Sequence, residues 1–298
     1  MNIQRIKAGD IEKARWDGCV HYAPNGHVFG YTWYLNQIAS DWEGLVEDNY
    51  QSVMVLPLRK NIFTGWDLKQ PPLTRVVGIY SVNVLTPRRI HTFLDAIPSE
   101  FKTVDIHLNP ISLHDMNGRF TFSEKRNYSL SLNDPYEIIR QGYQKDAAEV
   151  LDKAENAGWV VASGIKPEKL ADFYNQHSPD KENRNYNFHA LQRIMYNALH
   201  RGIGFSSAVL DGERNPIAVL FAIYSHNKVV VLLQLESSQN NGKGALLFLL
   251  DMLIRAHAGR PLTLDLNTDG AYLDPGIIGA QAQNFYRMYR NERRLGIF

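Results

Sequence analysis

The hexapeptide Gln239-Asn240-Asn241-Gly242-Lys243-Gly244 lies between two strongly apolar runs, 229–235 and 245–254. Its composition suits the capture of an anion. A helix N-terminus leaves about four backbone N–H groups unpaired and carries roughly half a positive charge. A loop that gathers N–H groups at such a point holds phosphate. Gly242 and Gly244 allow close approach of the backbone and positive φ, and Asn240 and Asn241 tolerate similar conformations. Lys243 adds a positive charge or simply faces solvent. A strand–turn–helix connection with glycines placed for tight packing uses the same residues, so the hexapeptide alone leaves both readings open.

The flanking elements favour the first. Three strand-like runs, "IGFSSAVL", "NPIAVLFAIYS" and "KVVVLLQLES", are joined by the turn signals "DGERNP" and "SHN". Short turns imply an antiparallel meander. The loop, an apolar helix and the strand "PLTLDLN" then form a crossover to a parallel neighbour. Upstream, 135–158 reads as one helix that opens on a proline and ends on a glycine. "WVVAS" follows as a strand, then two helices, "KPEKLADFYNQHS" and "NFHALQRIMYNALHRG". The pattern predicts a last helix around "AQAQNFYRMYRNE". The fold class is therefore a mixed α/β layer with an α+β sheet.

The first half runs in a similar order. "FLDAIPSEFKTVDIHLN" and "LLDMLIRAHAGRPLTLDLN" each read helix, link, strand, and each ends in Leu-Asn. This points to an internal repeat with a boundary near Asn133, giving domains 1–133 and 134–298. In place of the Gly-x-Gly loop the first half has "QPPLTRVVGIYS", where Pro71 and Pro72 lack N–H donors.

The second half, from about Gly158 to Phe298, resembles the GNAT acyltransferases, whose pyrophosphate loop reads Gln/Arg-x-x-Gly-x-Gly/Ala. "QNNGKG" matches every fixed position. Two such units in tandem resemble the FemAB-like transferases, including uncharacterised GNAT/FemAB-like proteins of the Bacteroidetes, with the N-terminal unit degenerate. The resemblance implies two tandem GNAT-like domains, with acyl-CoA as co-substrate. Its pyrophosphate would lie on Gln239, Asn240, Asn241, Gly242, Lys243, Gly244 and Ala245. Leu235 to Ser237 would lie where a main-chain N–H polarises the thioester carbonyl, and Tyr286 in "NFYRMYRNE" where a tyrosine on the last helix protonates the leaving thiolate.

Such a transfer needs a donor for the oxyanion, a base for the amine and an acid for the thiolate. Glu236 is the candidate base at the strand end. An ordinary strand residue for Glu236, and an aromatic packed on the sheet for Tyr286, stay open beside these roles. The expected activity is N-acyl transfer from acyl-CoA, bound by the second half, to a small-molecule or peptide amine bound between the two halves. The alternatives are FemAB-type transfer from aminoacyl-tRNA in cell-wall peptide synthesis, and a non-catalytic binding protein on the same fold.

Composition sets further bounds. The 298 residues carry 32 basic and 31 acidic side chains, shared evenly about Asn133, which argues against a broad nucleic-acid footprint; tRNA enters only under the FemAB alternative. A single cysteine, Cys19, excludes an internal disulfide, and the ten histidines show no ligand spacing, so no metal is expected. The opening residues alternate charge without an apolar leader core, and the longest apolar run is about ten residues where a span needs roughly 20. A cytoplasmic protein without a membrane span is expected. The dense aromatic stretch "VFGYTWYLNQIASDW" reads first as core.

Overall fold

A computed structural model describes residues 2–39, 41–62, 65–109, 118–178, 184–237, 244–270 and 273–291. The chain forms two compact units. One groups Met1–Lys125 with Asn284–Phe298, and the other is Arg126–Gln283.

The first unit contains β1 (Ile3–Lys7), α1 (Lys13–Tyr22), α2 (Thr32–Ile38), β2 (Asp41–Glu47), β3 (Ser52–Asn61), β4 (Gly65–Lys69), β5 (Ile79–Ser81), α3 (Pro87–Asp95) and β6 (Thr103–Leu108). β1 to β4 are antiparallel neighbours in order, and β5 pairs with β3. β6 then runs parallel to β4. The expected hairpin over "WEGLVED" and "QSVMVLPLRK" is β2–β3. Thr86 starts α3 by accepting from the Arg89 N–H at 3.3 Å, with Pro87 in the first turn, where a missing N–H costs nothing. The aromatic stretch is indeed core: Phe29, Trp33, Tyr34 and Trp42 are buried. Trp16 meets Trp42 edge-on at 5.2 Å and donates its indole N–H to the Gly30 carbonyl at 2.8 Å, so its one polar atom is satisfied.

The second unit contains most of β7 (Thr121–Ser131), then α4 (Tyr136–Gln141), α5 (Lys145–Asn156), β8 (Val160–Ser163), α6 (Pro167–His177), α7 (Arg184–His200), β9 (Gly204–Leu210), β10 (Pro216–Ser225), β11 (Lys228–Glu236), α8 (Ala245–His257) and β12 (Thr263–Asp265). β8 to β11 form the expected antiparallel meander, and α8 crosses over to the parallel strand β12. His226 and Asn227 make the tight β10–β11 turn with φ of 51° and 54°. α8 is apolar on nearly every side and correspondingly buried, its residues forming the centre of this unit's core.

Three expectations change. The helix expected over 135–158 is two, α4 and α5. The chain breaks at Gly142 because it must meet a short 3₁₀ turn, Pro275–Ile278: Gln144 donates its N–H to the Ile277 carbonyl at 3.0 Å. The segment around Asn133 is not the dividing link. Ser129 to Ser131 belong to β7 and pair with Asp265 to Thr263, and the units divide between Lys125 and Arg126.

The last helix is a strand, β13 (Gln281–Asn291), antiparallel to β6 from Tyr286↔Leu108 to Asn291↔Thr103. Phe285, Tyr286 and Tyr289 suit a pleated surface. β6 supplies the ladder partner, and Met288 is fully buried in the first unit's core. Burial at Phe285 and Met288 has helical spacing, whereas Met288 and Arg290 alternate, so periodicity alone does not separate the two forms.

Candidate functional site

The site-bearing feature of the second unit is the separation of two parallel strands. β11 pairs with β12 at only three positions, Lys228↔Thr263, Val229↔Leu264 and Val230↔Asp265. β12 then ends, and β11 continues to Glu236 against β10 alone. Where it does so, β11 carries a bulge. Ala222 pairs with Val231 and Phe221 with Leu233, which leaves Leu232 as the extra residue.

The bulge changes which backbone groups face which neighbour. Hydrogen-bonding direction alternates along an antiparallel ladder. The Ser237 N–H donates to the Ile217 carbonyl of β10 at 2.8 Å, so Leu235, two residues back and opposite Val219, faces β10 as well. Gln234 and Glu236 therefore turn their N–H groups to the side that β12 has left. Within the segment 235–237 that the resemblance singled out, the outward amide is that of Glu236, joined by Gln234 just upstream.

The side chains of these two residues span the same region. Gln234 donates its amide to the Leu266 carbonyl at 2.7 Å, across the opening between the strands. Glu236 accepts from the Leu246 N–H at 2.8 Å in the first turn of α8, a favourable place for a carboxylate. Leu235 and Ser237 are buried beside them. At the last position of β12, the buried Asp265 accepts from the Asn127 side chain at 2.8 Å and from the Asn267 N–H at 3.0 Å, fixing the turn in which Asn267 has a φ of 49°.

Gln239, Asn240, Asn241, Gly242 and Lys243 lie outside the described residues. Gly244 and Ala245 are described. Gly244 is the N-cap of α8 at φ 88°, and a Cβ there would come within 2.6 Å of the Val150 side chain on α5. Both the positive φ and the close helix demand glycine at the last fixed position of the hexapeptide. Ala245 is fully buried at the start of α8.

α8 is held to α4 by polar contacts in an otherwise apolar setting. The carboxylate of Asp251, 2% exposed, accepts from the Tyr136 hydroxyl at 2.9 Å and from the Tyr143 hydroxyl at 3.1 Å. Arg140 and Arg255 donate to the Tyr136 oxygen at 3.1 and 3.2 Å. Burial, reinforced by Asp251, pushes the Tyr143 hydroxyl well above the usual phenol range, so it stays a donor.

The first unit has the same topology but closes it. β4 and β6 pair in parallel at Leu68↔Val104 and Lys69↔Asp105. Gln70 then accepts from the His107 N–H at 2.7 Å through its side chain. Beyond Pro71 and Pro72 the chain returns: Val77 donates to the His107 carbonyl at 2.8 Å and accepts from the Asn109 N–H at 3.3 Å. The strand edge that is bridged by one side chain in the second unit is covered by the chain itself in the first.

Tyr286 stands opposite Leu108 in β13, among the residues of the first unit. It is not on a helix, so the helical setting that the resemblance attaches to a thiolate-protonating tyrosine is absent. Its neighbour Arg287 pairs with Asp105 at 2.6 and 3.0 Å, and Lys69 reaches the same carboxylate at 2.7 Å. Burial alone would raise the Asp105 pKa, but these two cations outweigh it and hold it down at about 2.

Sequence reasoning missed Gln234 and the bulge at Leu232. The signal for the first was present, as the one amide side chain in the apolar run "VVVLLQLES". Among the described residues no three His, Cys, Asp or Glu side chains are grouped as a metal needs, and no helix is long and apolar enough to cross a membrane.

No family model and no curated protein matches this sequence. Solved structures do. FemX is 11% identical, with 96% of this chain and 97% of that chain covered at a TM-score of 0.61. L-PGS from Bacillus licheniformis is 11% identical, with 96% and 94% covered at 0.58. A tandem GNAT protein from the clavulanic acid biosynthesis pathway is 10% identical, with 97% and 98% covered at 0.52. At these identities the likeness is one of fold, and it spans nearly the whole chain. The protein has the tandem GNAT/FemAB-like fold.

Proposed function

We propose that this chain is an N-acyltransferase that moves an acyl group from acyl-CoA to an amine, at the end of β11 in its second unit. The observation that carries this reading is the parting of β11 from β12 after Val230 and Asp265, with the bulge at Leu232. It aims the Gln234 and Glu236 N–H groups at one opening. A carbonyl oxygen there would be polarised by fixed donors that need no reorganisation as negative charge develops. The amine nitrogen attacks the carbonyl carbon and forms the C–N bond. The C–S bond breaks, the sulfur keeps its electron pair, and the proton lost by the amine ends on the thiol. Glu236 is the candidate base for that proton.

The donor's diphosphate would lie on the hexapeptide 239–244 at the head of α8, as the match to the GNAT loop suggests. The degenerate first unit supports one donor site per chain, because its own residue Val77 covers the corresponding edge. The acceptor is an amine-bearing small molecule or peptide.

A second reading is transfer from aminoacyl-tRNA to a peptide. One observation favours it: Glu236 places a carboxylate on the Leu246 N–H, close to where a diphosphate on the loop would lie.

Calorimetric titration with CoA, acetyl-CoA and a longer acyl-CoA separates the readings. Saturable binding lost in Gly242→Glu, with tRNA inert, supports the acyl-CoA donor. No binding at millimolar ligand removes it. Binding without thiol release across an amine panel leaves a binding protein on a transferase fold.

A further inference from the structure

Gln234 is not needed to complete a strand. Its backbone belongs to β11, yet its side chain crosses the opening and donates to Leu266, just past the end of β12. The Leu266 N–H is already given to the Tyr128 carbonyl of β7 at 3.0 Å, so this residue is held on one side by backbone and on the other by a side-chain amide.

The first unit shows what this geometry otherwise accepts. Past Asp105, the edge of β6 is met both by a glutamine, Gln70, and by an extended peptide, Val77, whose N–H donates to the His107 carbonyl. An amide N–H on an extended chain is thus a natural partner for a carbonyl at the end of the parallel strand. In the second unit the corresponding strand end receives the same chemistry from Gln234.

We propose that the Gln234 side chain competes with an amide N–H of the extended donor arm for the Leu266 carbonyl, making Gln234 a positioning residue that sets donor affinity. The proposal rests on the acyl-CoA reading above. The shared chemistry is an extended chain bearing secondary amides, which a CoA arm and a peptide both provide. The backbone N–H of residue 234, which faces the reacting carbonyl, is untouched by side-chain replacement.

The test uses the full chain as wild type, Gln234→Ala and Gln234→Met. Alanine removes the bond and the bulk, and methionine keeps the length but cannot donate. Each is titrated with acetyl-CoA and, separately, with a blocked alanine dipeptide. KM and kcat are read from thiol release, and folding from thermal melts. The expected result is a roughly fivefold lower Kd and KM for acetyl-CoA in both variants, the size of one ordinary net hydrogen bond. Saturable acetyl-CoA binding that is unchanged or weaker in both variants overturns the role of Gln234 and leaves the donor reading standing. Tightening seen only with the dipeptide, with acetyl-CoA inert in all three proteins, overturns the donor arm while keeping the competition at Leu266. No binding of either ligand overturns both.

Discussion

The carboxylate of Glu236 accepts from the backbone N–H of Leu246 at 2.8 Å, tying the end of β11 to the start of α8. A residue so placed has two separable tasks, capping the helix and accepting a proton. Glu236→Ala removes both, and loss of the cap lowers unfolding free energy by about 1 kcal/mol. Glu236→Gln keeps an oxygen for the Leu246 N–H but no longer has a base. Its urea midpoint stays near wild type, while thiol release falls by roughly a hundredfold or more. Full turnover in Glu236→Gln would sink the base and leave only the cap.

Gly244 meets two constraints at once, φ of 88° and the Val150 side chain within 2.6 Å of a would-be Cβ. Gly244→Ala lowers stability by about 2 kcal/mol. Pairing it with Val150→Ala in a double-mutant cycle recovers the steric share and leaves the backbone share. Additive effects of the two substitutions would show that α5 does not press on the loop.

Asp105 binds the C-terminal strand to the first unit through Arg287, with Lys69 on the same carboxylate. Its pKa is held at about 2, below the ordinary 3.8. A depressed carboxylate adds stability above its unfolded pKa and loses it as pH falls through the folded value. The stability difference between wild type and Asp105→Asn is therefore constant from neutral pH to about 5 and shrinks between about pH 4 and pH 2. Urea midpoints of both proteins across this range read it directly. A difference that grows on acidification contradicts the pairing.

Asp251 is a buried charge whose partners are two hydroxyls and the nearby Arg255. Asp251→Ala strands those groups and costs about 3 kcal/mol, while Tyr136→Phe and Tyr143→Phe each cost about 1 kcal/mol. Asp251→Asn, still an acceptor, falls between. Equilibrium denaturation gives all four values, and a near-neutral Asp251→Ala would mean that α4 is not anchored through this residue.

Much of the scaffold was legible because its signals are local. The meander of β9, β10 and β11 follows from apolar runs between turn residues, and the α8 crossover from a helix-length apolar run beyond a polar loop. Gly244 was legible as a glycine with a task, since few other residues accept its φ. The shared order of helix, link and strand in the two halves, closing in Leu108-Asn109 and Leu266-Asn267, was readable in the sequence.

The misread pieces depend on distant partners. Residues 281–291 became a strand because β6 offers a ladder and the first core takes Met288; neither is encoded within the segment. The break at Gly142 answers a turn more than a hundred residues away at Ile277.

By itself, then, the sequence settled the class and order of most elements from β8 to β12, because residue preference and periodicity act over a few neighbours. Tertiary structure alone decided where β11 leaves β12, which amides the bulge at Leu232 turns outward, and that Gln234 reaches Leu266. Those outcomes follow from strand register and the competition for backbone partners, and register is settled only when both strands are in place.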